Sequence, residues 1–199
     1  MSVLFVQSHS GSPGAVFEQA AAAGDLLVVR ERELTPAHFD AAGGLITTIH
    51  LDQIGWLDHA VPVQRLLARG GRWVFNGHVL RPFLPGLAVY MPIIAPRRDD
   101  FALTRLADHP VFAGIDQQQL AKNRGVAGFY GRGHNPLPVG GMAINGIGPN
   151  RLPIDWEWSP PEGGQILVHA GNEFWGCGDD ASLKTRLAER AIAWAGGRL

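Results

Sequence analysis

Gly70-Gly71-Arg72-Trp73-Val74-Phe75-Asn76-Gly77-His78 is the stretch whose reading decides the fold of this chain. Two glycines introduce a short run rich in aromatic and branched residues, which stops at a small, turn-competent step with a histidine at its tip. Residues 79–84 then return to an apolar pattern. A strand that turns this sharply lifts one side chain above the sheet. In an open α/β sheet, ligands lie in the crevice beyond the carboxyl ends of the strands. The strained strand-to-helix elbow of many enzymes carries a Ser or Cys nucleophile at that place. Here the tip is His78 or Gly77, and neither acts as an acyl-transfer nucleophile.

Outward from this strand, the chain alternates. Residues Val3–Gln7 read as a buried strand, followed by the loop Ser8-His9-Ser10-Gly11-Ser12-Pro13-Gly14 and an Ala-rich helix over 15–23. Further strands are predicted over 25–30 and 45–49, with a short helix over 36–42 between them. Residues 51–69 carry apolar side chains at helical spacing, with Pro62 as a kink. After a long middle segment, Gln165-Ile166-Leu167-Val168 restores a buried strand. An amphipathic helix over 180–195 follows, capped by Asp179, Asp180 or Ser182 and ended by Gly196-Gly197. This alternation is the pattern of a flavodoxin-like, doubly wound α/β fold: a mostly parallel sheet with helices on both faces. From about 87 to 160 the pattern changes to short runs between Gly and Pro clusters, over 89–94, 101–106, 126–130, 142–147 and 155–158. These suit an extended or antiparallel insert.

At 199 residues the chain has the length of one domain, taken as 1–199. Its net charge of -1, with acidic and basic residues interspersed, leaves no electrostatic footprint for nucleic acid or an anionic membrane. No run approaches the roughly 18 apolar residues that span a bilayer. The apolar start lacks a basic flank or cleavage site, so no signal peptide is expected. Cys177 is the only cysteine, which precludes an internal disulfide and fits the cytoplasm. With 26 Gly and 14 Pro but ordinary apolar content, many tight turns are expected and disorder is not.

A doubly wound sheet brings several strand ends to one edge. They carry His9; Thr47, Thr48 and His50; Asn76 and His78; and His169 with Asn172 and Glu173. Histidine suits proton transfer near neutral pH and is also a common metal ligand, so His78, His169 and Glu173 are compatible with acid/base chemistry or a divalent ion. The plain alternative is that each histidine hydrogen-bonds loop backbone and closes a strand end. Tyr130-Gly131-Arg132-Gly133-His134-Asn135-Pro136 joins a cation, an imidazole and an amide on permissive backbone, suited to a polar or anionic ligand, or an ordered loop whose Arg132 pairs with a surface carboxylate. In Asp155-Trp156-Glu157-Trp158 the two tryptophans share one strand face and the two carboxylates the other, with core as the expected fate of the tryptophans. Cys177, in a Gly-rich turn away from the elbow, reads as a packed thiol. Gly11-Ser12-Pro13-Gly14 lacks both the Walker Lys and the dinucleotide spacing, so nucleotide binding is rejected.

Three segments carry a family resemblance. Residues 70–78 look like the Gly-Gly-strand-elbow segment of the class I glutamine amidotransferase-like superfamily. Classical members carry Cys at that elbow, and the trehalose-utilisation (ThuA-like) branch commonly carries His. Asp108-His109-Pro110-Val111-Phe112-Ala113-Gly114-Ile115 resembles the His-Pro segment that such proteins carry after their central insert. Gln165-Ile166-Leu167-Val168-His169 is similar to the strand that ends in the His-Pro-Glu of true amidotransferases. The resemblance covers most of the chain and implies the flavodoxin-like fold and the place of the site. It departs where the chemistry lies: no Cys stands at the elbow, and Ala170-Gly171 replaces Pro-Glu after His169. Glutamine hydrolysis through a glutamyl thioester is therefore not expected.

The expected protein is cytoplasmic, binds or transforms a small polar ligand, carbohydrate-related in class, and forms a homodimer. His78, His169 and Glu173 are the expected catalytic residues, and His9, Thr48, Asn76, Arg132 and His134 the ligand-binding ones. No cofactor is specified and no metal ligand is assigned. Two alternatives stand beside this reading: a metal-dependent hydrolase or isomerase, and a non-catalytic interaction protein suggested by the missing elbow Cys and the six Trp.

Overall fold

The computed structural model describes residues 1–123 and 125–199. In chain order the first half runs β1 (Val3–Gln7), α1 (Ala15–Ala22), β2 (Leu26–Arg30), α2 (Pro36–Ala41), β3 (Gly44–Thr47), α3 (Ala60–Ala68) and β4 (Arg72–Asn76). The middle holds β5 (Met91–Pro92), β6 (Leu103–Arg105), α4 (Gln117–Ala121), β7 (Gly133–His134), β8 (Met142–Ile147) and β9 (Leu152–Trp158). β10 (Gln165–His169) and α5 (Ala181–Ala195) close the chain.

Eight strands form one sheet in the order β2-β1-β3-β4-β10-β9-β8-β6. The five from β2 to β10 are parallel, and β9, β8 and β6 add to them antiparallel, so the middle segment widens the same sheet. β5 and β7 form a separate two-stranded antiparallel pair. This is the flavodoxin-like, doubly wound arrangement expected from the alternation.

Alternation along each strand feeds two cores. Val3 and Phe5 of β1 face the layer of α1 and α5, where Phe17, Leu187 and Ala191 are buried. Leu4 and Val6 face the layer of α2 and α3, with Phe39, Val63 and Leu66. Trp156 and Trp158 go to the second core, as their spacing predicts, and Trp56, Trp73 and Trp194 are buried too. Full burial of a large aromatic is worth about 3–5 kcal/mol against truncation to Ala, so these tryptophans serve folding and do not build an exposed docking face.

Some local expectations are corrected. Residues 51–69 do not make one kinked helix: a single-turn 3-10 segment, Gly55–His59, leads into α3, and Pro62 is its third residue. There the missing proline N–H is one of the donors that lack a helical partner anyway. Residues 126–130 form turns and not a strand, and only Met91–Pro92 of the 89–94 run pairs. Helix α5 begins where expected, with the Asp180 carboxylate accepting from Ser182 N at 2.8 Å. No helix among the described residues is long and apolar enough to cross a membrane.

Candidate functional site

The strand register lays a single polar row across the sheet. Val6, Thr47, Phe75 and Val168 are neighbours from strand to strand, so the next residues along, Gln7, Thr48, Asn76 and His169, share one level and one face. The row continues through the pairs His169–Asp155 and Asp155–Asn145 into the antiparallel strands. All six side chains are buried. Burying so many polar groups is costly unless each is satisfied, and their bonds show how the row is organised.

At its centre, Asp155 Oδ1 lies 2.6 Å from His169 Nδ1, and Asp155 Oδ2 accepts from Tyr130 Oη and Asn145 Nδ2, each at 2.6 Å. Burial first, and then the neighbouring Asp155 charge, push the Tyr130 hydroxyl well above its ordinary range, so it stays a donor. With Nδ1 bonded to the carboxylate, the His169 ring has Nε2 as its remaining hydrogen-bonding nitrogen. Nε2 is buried and has no partner among the described residues. It lies beneath Gly171, where a Cβ would come 2.6 Å from Nε2 and run into Tyr130 O. Gly171 and Gly131 line a cavity of about 220 Å³ together with His78, Arg132, Phe129 and Asn172. The absence of a side chain at Gly171 is what lets this piece of the cavity wall pack directly on the histidine, while a Cβ on Gly131 would run into Ile154.

The elbow above this row is held from two sides. Gly77 has φ +123°, and a Cβ there would stand 3.1 Å from Ile49 Cα, so the turn takes glycine and the first side chain presented is His78. Asn135 donates to Gly77 O and accepts from Val79 N, both at 2.9 Å. Gln53 donates to His78 O and accepts from Leu80 N and Arg81 N. The His78 ring stacks on Tyr90, with centroids 3.7 Å apart and planes 14° apart. Desolvation, and secondarily the charge of His169, lower the His78 pKa below 6.5, so the ring is neutral at pH 7.

The residues singled out from sequence separate into three groups. His78 and Arg132 line the cavity, and His169 lies under its glycine wall. Asn76 and Thr48 belong to the buried row. Asn76 donates to Thr47 O and accepts from Phe174 N, which ties the turn after β10 to β4, while the buried Thr48 Oγ1 has no partner among the described residues. Glu173, His9 and His134 are elsewhere. Glu173 does not pair with His169: its Oε1 accepts from Ile49 N at 3.0 Å, and Asp155 takes the place beside the ring. His9 is exposed, accepts from Gly11 N, and faces a different cleft, shared with Arg30, Arg32 and His59. His134 sits in the β5–β7 pair and does not line the cavity.

Asp155, Asn145 and Gln53 were not expected at the site, and Tyr130 and Asn135, which lie in the 130–136 segment read as suited to a polar ligand, instead bond Asp155 and the elbow backbone. The one sequence signal for Asp155 was its alternation with Trp156: a core tryptophan on one strand face places its neighbour on the other, and the strand is covered on both. Cys177 is buried, with Sγ 3.8 Å from Glu173 O, and burial followed by the Asp155 and Glu173 charges pushes its thiol far up. A thiol in that state is not a nucleophile. No three His, Cys, Asp or Glu side chains among the described residues are grouped to hold a metal ion.

No protein-family model matches the chain. A search of the curated proteins also finds no match. Among solved structures the chain is similar to a Thermoplasma acidophilum protein provisionally described as a GMP synthase subunit. The TM-score is 0.60 at 12% identity, over 99% of this chain and 95% of that one. The likeness extends over nearly the whole of both chains and establishes a shared α/β fold.

Proposed function

We propose that this chain is a class I glutamine amidotransferase-like protein of the ThuA-like branch that has no glutaminase activity. In this reading it is cytoplasmic and dimeric, and it transforms a small polar, carbohydrate-related ligand in the cavity beneath His78. One observation carries the reading: the buried Asp155–His169 pair, whose unpartnered Nε2 lies directly under Gly171, a residue of the cavity wall. A carboxylate-oriented imidazole of this kind takes a proton from a bound hydroxyl, C–H or water, and the carboxylate stabilises the imidazolium that forms. Neutral His78, stacked on Tyr90 and held by the elbow clamps, orients the ligand from the cavity lining. At about 220 Å³ the cavity is below the roughly 300–1,000 Å³ of drug-sized sites, which confines the ligand to a small molecule. The loss of glutaminase activity follows from glycine at the elbow and from the buried thiol of Cys177.

The test pairs two assays. Ammonia release from glutamine is expected at background; release that disappears in Cys177→Ala overturns the non-glutaminase reading. Small polyols and sugar derivatives are expected to shift the His78 and His169 ring signals in NMR. Gly171→Ala is expected to abolish these shifts, at an overpacking cost of about 1–3 kcal/mol. If no polyol moves either ring in the wild type, the ligand reading fails.

A further inference from the structure

The charge of the cavity beneath His78 is one-sided. Among the described residues that line it none is acidic, and Arg132 is the one formal cation. The guanidinium makes no ion pair among the described residues. It reaches Ala127 O through Nη2 at 3.5 Å, the outer limit of a hydrogen bond. The side chain is exposed at the cavity rim, but its backbone is fixed. Arg132 O accepts from Ile93 N at 2.9 Å, extending the β5–β7 pairing of Pro92 with Gly133 and Met91 with His134. Arg132 is also close enough to Tyr90 for its charge to act on that hydroxyl, and Tyr90 is the ring against which His78 stacks. The nearby carboxylates are bonded elsewhere than to Arg132: Asp155 is committed to three donors, and Glu173 Oε1 to Ile49 N–H.

A guanidinium held at a cavity mouth with no protein carboxylate to satisfy it is suited to a planar anion, which it grips through two parallel N–H bonds. Resting on the proposed ligand site, we infer that the ligand is a small polyol bearing a carboxylate, a sugar acid in class, and that Arg132 takes that carboxylate. A phosphate ester fits less well. It brings nearly two negative charges, and among the described residues the lining offers one cation and no lysine to meet them.

The experiment compares gluconate with glucitol, the same six-carbon chain without the carboxylate, and with glucose 6-phosphate, each titrated into the full chain and followed by the His78 ring signal. Gluconate is expected to bind at least tenfold more tightly than either. Arg132→Ala, an exposed substitution expected to leave folding unchanged, should bring gluconate and glucitol to within twofold of each other. Arg132→Lys, which keeps the charge but loses the fork, should fall between. Equal binding of gluconate and glucitol to the wild type, or a preference that survives Arg132→Ala, overturns the carboxylate assignment while leaving the ligand site standing. Tighter binding of glucose 6-phosphate also overturns it. If none of the three moves the His78 signal, both the assignment and the site reading fail.

Discussion

Two histidines close neighbouring regions of one sheet edge, and they have opposite surroundings. His169, at the end of β10, is buried, held through Nδ1 by Asp155, and left with one unpartnered nitrogen beside a cavity. His9, two residues past the end of β1, is exposed, bonded to its own loop at Gly11 N, and lies edge-on to His50 with ring centroids 6.1 Å apart. Strand-end position alone therefore does not make a site. What sets His169 apart is the carboxylate that the antiparallel extension places next to β10, and β1 has no such neighbour because β2 and β3 flank it.

Removing the carboxylate should break this contrast with the largest effect. Asp155→Ala strands three buried donors, on His169, Tyr130 and Asn145, and a broken buried pair costs about 3–5 kcal/mol. At roughly 2–4 °C per kcal/mol for a chain of this size, the melting temperature should fall by about 6–20 °C. A fall within about 2 °C, read by calorimetry, would mean that the network does not hold the edge together.

The next effect is on protonation. The fold disfavours the charged form of His78, so the stability that comes with the neutral ring is complete above pH 6.5 and is lost as pH falls through the lowered folded value. An NMR titration should put the His78 midpoint below 6.5, and His169→Gln should raise it only part of the way, because burial is the larger cause and His169 the smaller. A midpoint at or above 6.5 in the wild type would show a ring more solvated than its stacked position implies. The smallest effect sharpens the comparison from the other side. His9→Ala should change the melting temperature and ligand-induced shifts very little, within about 0.5 kcal/mol. A loss of ligand response in that variant would join the two regions into one site.

Much of the scaffold was legible because burial on both faces imposes a pattern on sequence. β1, β4, β8 and β10 are apolar runs between turn residues, and the strand ends carried Thr48, Asn76, His78 and His169 to one edge of the sheet. The helix expected over 51–69 split because residues 51–54 are tied elsewhere: Asp52 N donates to Glu31, and Gln53 reaches across to the elbow. The partner of His169 was misread for a different reason. Glu173 is only four residues away, whereas Asp155 is 14 residues away on an antiparallel strand, and only cross-strand register brings it opposite. Gln53 and the clamping role of Asn135 were equally hidden, since a buried amide that bonds distant backbone leaves no periodic signal.

Alternation of apolar and turn residues along the chain determined the layered fold, the edge on which polar residues collect and the absence of a thiol at the elbow, because each is a local property repeated at short range. Tertiary structure alone decided which polar residues meet. The Asp155–His169 pair, the glycine wall above Nε2 and the placing of Arg132 at the cavity rim each depend on register between strands or on loops packed from far apart. A carboxylate settles beside an imidazole because burial makes every unmet hydrogen bond costly, and that cost exists only once the sheet has closed.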